Sequence, residues 1–335
     1  MPAFPKTWLW VLLALAFVVP LLNPLFPDVV SDYRLFLVST MIIAAIAVLG
    51  LNLLTGFNGQ ISLGHGAFYA VGAYTAAVLM DHLNMPYWAT LPCAAIVSFI
   101  VGYLFGLPAL KLEGHYLALA TFALALAVPQ ILKYKWLEGL TGGVQGIVLS
   151  KPEAPFGLPL SEGQWLYYYC LVVMVALYWA AANILNSRSG RAMMAIRDQY
   201  MAADTMGIDT ALYKTVTFGI SAAYTGIAGA LSASAIAFVA PDSFGIFLSI
   251  KFLIGLVVGG IGSLAGSVVG GIFYVLVDNS AQALSTFIKN DLGLQFDLSA
   301  YTVFGVLLIL LMYTMPMGIV GGVYIAMRRL RGARS

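Results

Sequence analysis

Three polar side chains, Gln60, Ser62 and His65, stand close together in GFNGQISLGHGAFYAVGAY, residues 56–74, with apolar chain on either side. An imidazole beside a hydroxyl and an amide supplies hydrogen bonds, the means to line a path for a polar solute. The same residues read equally as a tightly packed turn in which His65 bonds a neighbouring carbonyl. Lys251 and Asp278 lie deepest among the ionisable residues of other apolar segments. Charge is costly there and often marks a pathway, although Lys251 has the reach to snorkel toward a segment end.

Other chemistry is excluded. The dipeptide Gly-Lys never occurs, so the chain has no GxxxxGK[ST] phosphate loop and is not by itself a nucleotide-driven pump of the usual kind. HExxH and G-x-S-x-G are absent as well. Cys93 and Cys170 sit in apolar runs as packing residues, with no spacing that suggests a disulfide or a metal site. A net charge of +2 gives no ground for a nucleic-acid partner.

Small residues form a second pattern. Gly255, Gly259, Gly262, Gly266 and Gly270 give GxxxG spacings, and GISAAYTGIAGALSASA (219–235) is similarly rich in small side chains. Such residues let helix backbones approach closely in lipid. They serve either static packing or helices that slide around a path.

The elements that must carry these residues follow from composition. The chain is 61% hydrophobic and 9% charged, against roughly 25% charged in soluble domains. Apolar runs long enough to cross about 30 Å of hydrocarbon recur along it, without the alternation of a barrel. We read one all-α, polytopic membrane domain over 1–335 with about ten transmembrane helices: 8–27, 35–55, 62–80, 88–108, 115–133, 164–185, 212–238, 246–262, 264–287 and 299–323. The run Trp8–Phe26 is taken as a retained first span, because too few apolar residues precede Ala14-x-Ala16 for a signal peptide. Only Gly-Ser separates 246–262 from 264–287, so a broken or re-entrant segment also fits. Gly56 and Gly59 break the helix between the second and third spans, beside Gln60, Ser62 and His65.

With ten crossings, Lys6, Lys111, Arg188, Arg191, Arg197, Lys214, Arg328, Arg329, Arg331 and Arg334 fall on one side, and Arg34, Lys133, Lys135, Lys151 and Lys289 on the other. The positive-inside rule then places both termini in the cytoplasm. Residues 134–163 form the outer loop and 186–211 the inner one. Read as a single helix, the inner loop aligns Met193, Ile196, Tyr200, Ala203 and Gly207 on one face, edged by Arg197 and Asp204, with Arg191 opposite. It is a linker, an interfacial helix or a docking element for a soluble partner.

At this point the chain resembles the LivM-type permease subunit of branched-chain amino acid ABC importers. The resemblance rests on LTGFNGQISLGHGAFYAVGAYTAA, GLPALKLEGHYLALATFALA (106–125), LTGGVQGI (140–147), GIDTALYKTVTFGISAAYTGIAGAL (207–231) and GGIGSLAGSVVGG (259–271), in that order. It implies a permease in the bacterial cytoplasmic (inner) membrane that moves branched-chain or similar hydrophobic amino acids inward. Implied partners are a second, homologous permease, two cytoplasmic ATPase subunits that use ATP and Mg, an extracytoplasmic binding protein and the bilayer. The chain itself would bind no cofactor or metal and would not be an enzyme. The inner loop would be the ATPase coupling loop, comprising Arg191, Arg197, Tyr200, Ala202, Ala203, Asp204 and Gly207. Met201 stands where that family's loop carries Glu. Gln60, Ser62, His65, Lys251 and Asp278 would line the path. Some relatives serve urea, amides or aromatic acids, and an ion-coupled secondary carrier using Lys251 or Asp278 is the competing reading.

Overall fold

A computed structural model describes residues 31–290, apart from 111, 113, 153 and 155–159, together with scattered positions between 302 and 322. The expected span 8–27 lies outside the described residues, and 299–323 lies largely so. The helices are α1 (Asp32–Leu51), continued by a π-helical turn Asn52–Phe57, then α2 (His65–Leu83), α3 (Tyr87–Ala109), α4 (His115–Leu132), and the short α5 (Glu138–Thr141). Then come α6 (Glu162–Asn186), α7 (Arg188–Asp198), α8 (Tyr200–Thr205), α9 (Thr210–Ile236), α10 (Ile246–Gly259) and α11 (Leu264–Asn290).

Among the described residues, seven helical segments are long and apolar enough to cross a membrane, and the chain is a multi-pass membrane protein. The 19-residue α2 falls outside those seven, because His65, Tyr69, Tyr74, Asp81 and His82 lower its hydropathy. It is buried among its neighbours, where apolarity toward lipid is not required. Helix α10 has 14 residues, about 21 Å of rise, less than the hydrocarbon thickness. A 3-10 turn, Pro241–Phe244, precedes it. With that turn the segment Pro241–Gly259 has 19 residues and is one of the seven.

Burial separates centre from periphery. In the most apolar 18-residue windows, 78% of α1 with its π-turn and 72% of α9 is buried, against 22% for α4 and 17% for α6. The centre is built from small residues. A Cβ on Gly72 of α2 would overlap the Gly226 carbonyl of α9, and one on Gly229 would overlap the Tyr69 carbonyl. Backbones therefore meet directly, and a larger residue at either position forces the helices apart. The outer helices expose Ile96, Ile100 and Leu104 of α3 and Leu119, Phe122 and Leu126 of α4. Such faces suit contact with hydrocarbon.

Two local features differ from the sequence reading. The fold is not wholly helical: Ile147–Val148 (β1) pairs antiparallel with Phe238–Val239 (β2), joining the loop after α5 to the end of α9. Ala237, at φ 59, ends α9 in the left-handed region and frees the next two residues to pair. The loop 186–211 is two helices rather than one. Gln199 is extended (φ −157, ψ 91), and the chain restarts as α8. Ser187 caps α7, its Oγ accepting from the Ser189 and Gly190 amides. Gly190 lets α7 turn sharply under α6, since a Cβ there would strike the Leu185 backbone.

Candidate functional site

The π-turn Asn52–Phe57 closes α1 at the end of the bundle that carries α7 and α8. A π-turn holds one residue more than an α-turn and is frequent at functional sites. Here the accommodation centres on Asn52, which is fully buried. Its Nδ2 donates to the Ser263 carbonyl at 2.8 Å and to Ser267 Oγ at 2.8 Å, and its Oδ1 accepts from the Gly262 amide at 2.9 Å. One amide thus satisfies the tight turn between α10 and α11. Gly56 makes this possible, because a Cβ there would overlap the Asn52 side chain and stand 2.6 Å from the Gly262 nitrogen. Asn52 escapes the sequence reading, whose polar candidates are Gln60, Ser62, His65, Lys251 and Asp278. A lone Asn within LGLNLLTGF was the available signal.

Beyond the π-turn the chain is non-helical from Gly59, at φ 76, to Gly64. Thr55 Oγ1 donates to the Gln60 carbonyl (2.9 Å), and Gln60 Nε2 donates to the Lys214 carbonyl of α9 (3.2 Å). The Leu63 amide donates to Thr121 Oγ1 of α4 and the Gly66 amide to Ser249 Oγ of α10, at 2.9 and 2.8 Å. Non-helical backbone at membrane depth needs such partners. Asn58, also buried, has no hydrogen-bond partner for its amide among the described residues.

His65 is buried and its bonding fixes a tautomer. Ser221 has one hydroxyl proton and donates it to the Gly50 carbonyl at 2.6 Å. The contact of 2.6 Å between Ser221 Oγ and His65 Nε2 is then a donation from the ring, Nε2–H to oxygen. Nδ1 is left to accept from Ser62 Oγ at 2.9 Å, while Ser62 Oγ accepts from the Gly64 amide at 3.3 Å. The neutral imidazole forms a directed chain from Ser62 through Ser221 to α1. His65 is thus bonded to two serine side chains, one of which leads to the Gly50 carbonyl of α1.

Lys251 Nζ lies 2.8 Å from Asp278 Oδ1, with the side chains 19% and 24% exposed. The pair joins α10 to α11. Ser249, two residues before Lys251, faces Gly66, and about 200° of helix rotation turns Lys251 to the opposite side of α10. The structure therefore brings Gln60, Ser62 and His65 together but places the ion pair on the far face of α10. The same hairpin carries the expected glycines. Gly255 meets Gly270 and Gly259 meets Gly266, carbonyl against α-carbon, and Gly262 (φ 73) forms the turn. This packing is within the chain.

In the loop, Met193 and Ile196 of α7 and Ala203 of α8 turn inward, Met193 packing on Leu49, Leu53, Phe57 and Leu185. Arg197 Nη1 donates to the Gly56 carbonyl at 3.1 Å, and its Nε and Nη2 each lie 2.8 Å from Asp198 Oδ1. Tyr200 lies under the Lys214 ammonium, 4.1 Å from ring centroid to Nζ. Met201 and Met206 are exposed, as are Ala202, Asp204 and Gly207. Arg191 borders an open groove of about 680 Å³ with Arg188, Gly207 and Asp209. Of the residues expected on one face of this loop, Met193, Ile196 and Ala203 turn inward, while Tyr200 and Gly207 are exposed. Among the described residues no group of His, Cys, Asp and Glu is arranged to hold a metal.

Comparison with known proteins follows the same outline. The family described as "Branched-chain amino acid transport system / permease component" matches residues 33–315. The chain is 32% identical to the high-affinity branched-chain amino acid transport permease LivM of Salmonella typhimurium, covering 88% of this chain and 71% of that one. It is 25% identical to the high-affinity branched-chain amino acid transport permease LivH of Escherichia coli over 83% and 91% of the two chains. The autoinducer 2 import permease LsrC of Salmonella paratyphi B is 27% identical over 63% and 61%. No solved structure matches.

Proposed function

The chain belongs to the branched-chain amino acid transport permease family, and from that premise we propose that it is the membrane permease of an ATP-driven importer carrying branched-chain or similar hydrophobic amino acids into the cytoplasm. The observation that carries the reading is the 32% identity to LivM across 88% of the chain. The interrupted α1–α2 connection agrees with it, since discontinuous helices recur at transporter sites.

In this reading ten helices span the bacterial inner membrane with both termini inside. A homologous second permease completes the path, as the distinct LivM and LivH relatives suggest. Two ATPase subunits dock on α7 and α8, using ATP and Mg, and an extracytoplasmic binding protein delivers the cargo. The chain lacks a phosphate loop, which supports a separate energy source. Contacts along such a path are few and weak, because a tight site would hold its cargo.

Reconstitution in proteoliposomes tests this. With its companion permease, ATPases and binding protein, the chain should import leucine, isoleucine or valine only when ATP is supplied to the ATPase side. Gradient-driven uptake by the chain alone would overturn the reading in favour of an ion-coupled carrier.

A further inference from the structure

Two distant parts of the chain are fastened to the same six residues. Helix α7 reaches the π-turn through Arg197, whose guanidinium donates to the Gly56 carbonyl and is held by Asp198. The stem of Arg197 lies along Gly59, where a Cβ would stand 3.0 Å from Arg197 Cγ. The turn between α10 and α11 reaches the same π-turn through the three hydrogen bonds of Asn52. Gly56 is common to both attachments, since its carbonyl receives Arg197 and its missing side chain admits Asn52.

We propose that the π-turn Asn52–Phe57 is the linkage that carries movement of α7 to the α10–α11 hairpin, with Asn52 and Arg197 as its positioning residues. This rests on the importer reading above. Three features equip the segment for that role. A π-turn becomes an α-turn by expelling one residue, which rotates the following chain by about 100°. That rotation re-aims residues 58–65, where Gln60, Ser62 and His65 are held. The present arrangement is also not saturated, because the buried Asn58 amide lacks a partner among the described residues. A rearrangement of this stretch can therefore re-aim that amide without breaking a bond it makes here. Finally, a change at Gly56 cannot leave Asn52 in place, so the two attachments move together.

The test uses the complete reconstituted importer and reads four quantities: subunit retention, basal ATPase rate, binding-protein-stimulated ATPase rate and uptake. Asn52→Ala, which lies outside the docking helices, should retain the complex and basal hydrolysis within about twofold, and Arg197→Gln is read in the complexes that form. Amino acid carried per ATP hydrolysed should fall at least tenfold. Arg197→Lys, which keeps a donor, should recover part of that ratio. Ser267→Ala removes one of Asn52's two acceptors and should give an intermediate ratio, and it decides the matter if Asn52→Ala fails to assemble. An unchanged ratio in Arg197→Gln and Ser267→Ala would overturn the proposal, as would a loss of uptake that tracks loss of complex. Failure of the wild-type importer to use ATP at all would instead remove the functional reading beneath it.

Discussion

The Lys251 ammonium rests 2.8 Å from the Asp278 carboxylate, so two ionisable side chains deep in the spans neutralise one another across a single hairpin. The glycine contacts set this register. With Gly255 against Gly270 and Gly259 against Gly266, Lys251 stands level with Tyr274 and its side chain extends one turn further to Asp278. Side chains on a helix lean toward its N-terminus, which is the direction this reach requires. Removing one partner leaves a charge uncompensated, at a cost of about 3–5 kcal/mol, while replacing both with apolar residues is often neutral. Lys251→Met alone should therefore lower the melting temperature of the purified permease sharply, and Lys251→Met with Asp278→Leu should restore it. Restored stability without restored uptake would assign the pair to transport as well as to folding.

His65 is expected to act first on stability. His65→Leu leaves Ser221 Oγ without a donor and Ser62 without its acceptor, at about 1–3 kcal/mol for each buried group left unpaired. Thermal unfolding in detergent should move down, and Ser221→Ala should do likewise. A His65→Leu protein that melts normally yet fails to transport would place the imidazole against the cargo.

Gly259→Leu and Gly266→Leu should fail at the level of the single chain. Each inserted side chain meets backbone of the other leg of the same hairpin. Yield of folded permease should fall even when it is expressed without its companion. Normal yield with lost pairing to the companion would instead place these glycines at a subunit boundary.

Docking of an ATPase should depend on the outward side chains of the loop. Met201→Lys and Met206→Glu alter exposed positions and should reduce ATPase retention and coupled uptake while leaving the permease folded. Ala203→Glu would place a charge at a buried position and so mixes docking with folding. Arg188→Ala should change little, since an exposed charge contributes roughly 0–1 kcal/mol. Full coupling in both Met variants would move the docking surface away from α8.

Helix α6 provides a topology check. Its 25 residues extend about 37 Å, enough to cross a bilayer. Single cysteines at Glu162 and Ser189, both exposed, should react with an impermeant maleimide from opposite faces. Reaction from the same face would remove α6 from the set of spans.

Much of this architecture can be read from residue order because lipid rewards one simple pattern. The helices α1, α2, α3, α4, α6, α9, α10 and α11 fall within a few residues of the apolar runs marked out for them, and Gly59 marks the break before α2, whereas Gly56, expected to break the helix too, stays inside the π-turn. What stays hidden depends on long-range partners. Nothing local announces that Asn52 will bond a turn some 210 residues away. Ile147–Val148 and Phe238–Val239 are too short to show a strand period. The loop reads as one helix because Gln199 is no helix breaker; inward packing of Met193, Ile196 and Ala203 divides it. The polar residues chosen as path candidates were legible as a cluster, but whether a buried His serves a solute or a neighbouring Ser depends on partners that only the fold supplies.

Where backbone meets backbone, nothing remains to rotate or compress. Side chains are ordinarily the compliant layer between helices, absorbing displacement by changing rotamer. At Gly255–Gly270 and Gly259–Gly266 that layer is missing, so α10 and α11 behave as one stiff lever over this stretch. A shift at the Gly262 end arrives beyond Gly255 as translation rather than being dissipated on the way. Such stiffness leaves little room for adjustment by modest apolar substitution. Apolar substitution should instead be tolerated on peripheral helices such as α4 and α6, where Leu119, Phe122, Val172 and Trp179 are exposed.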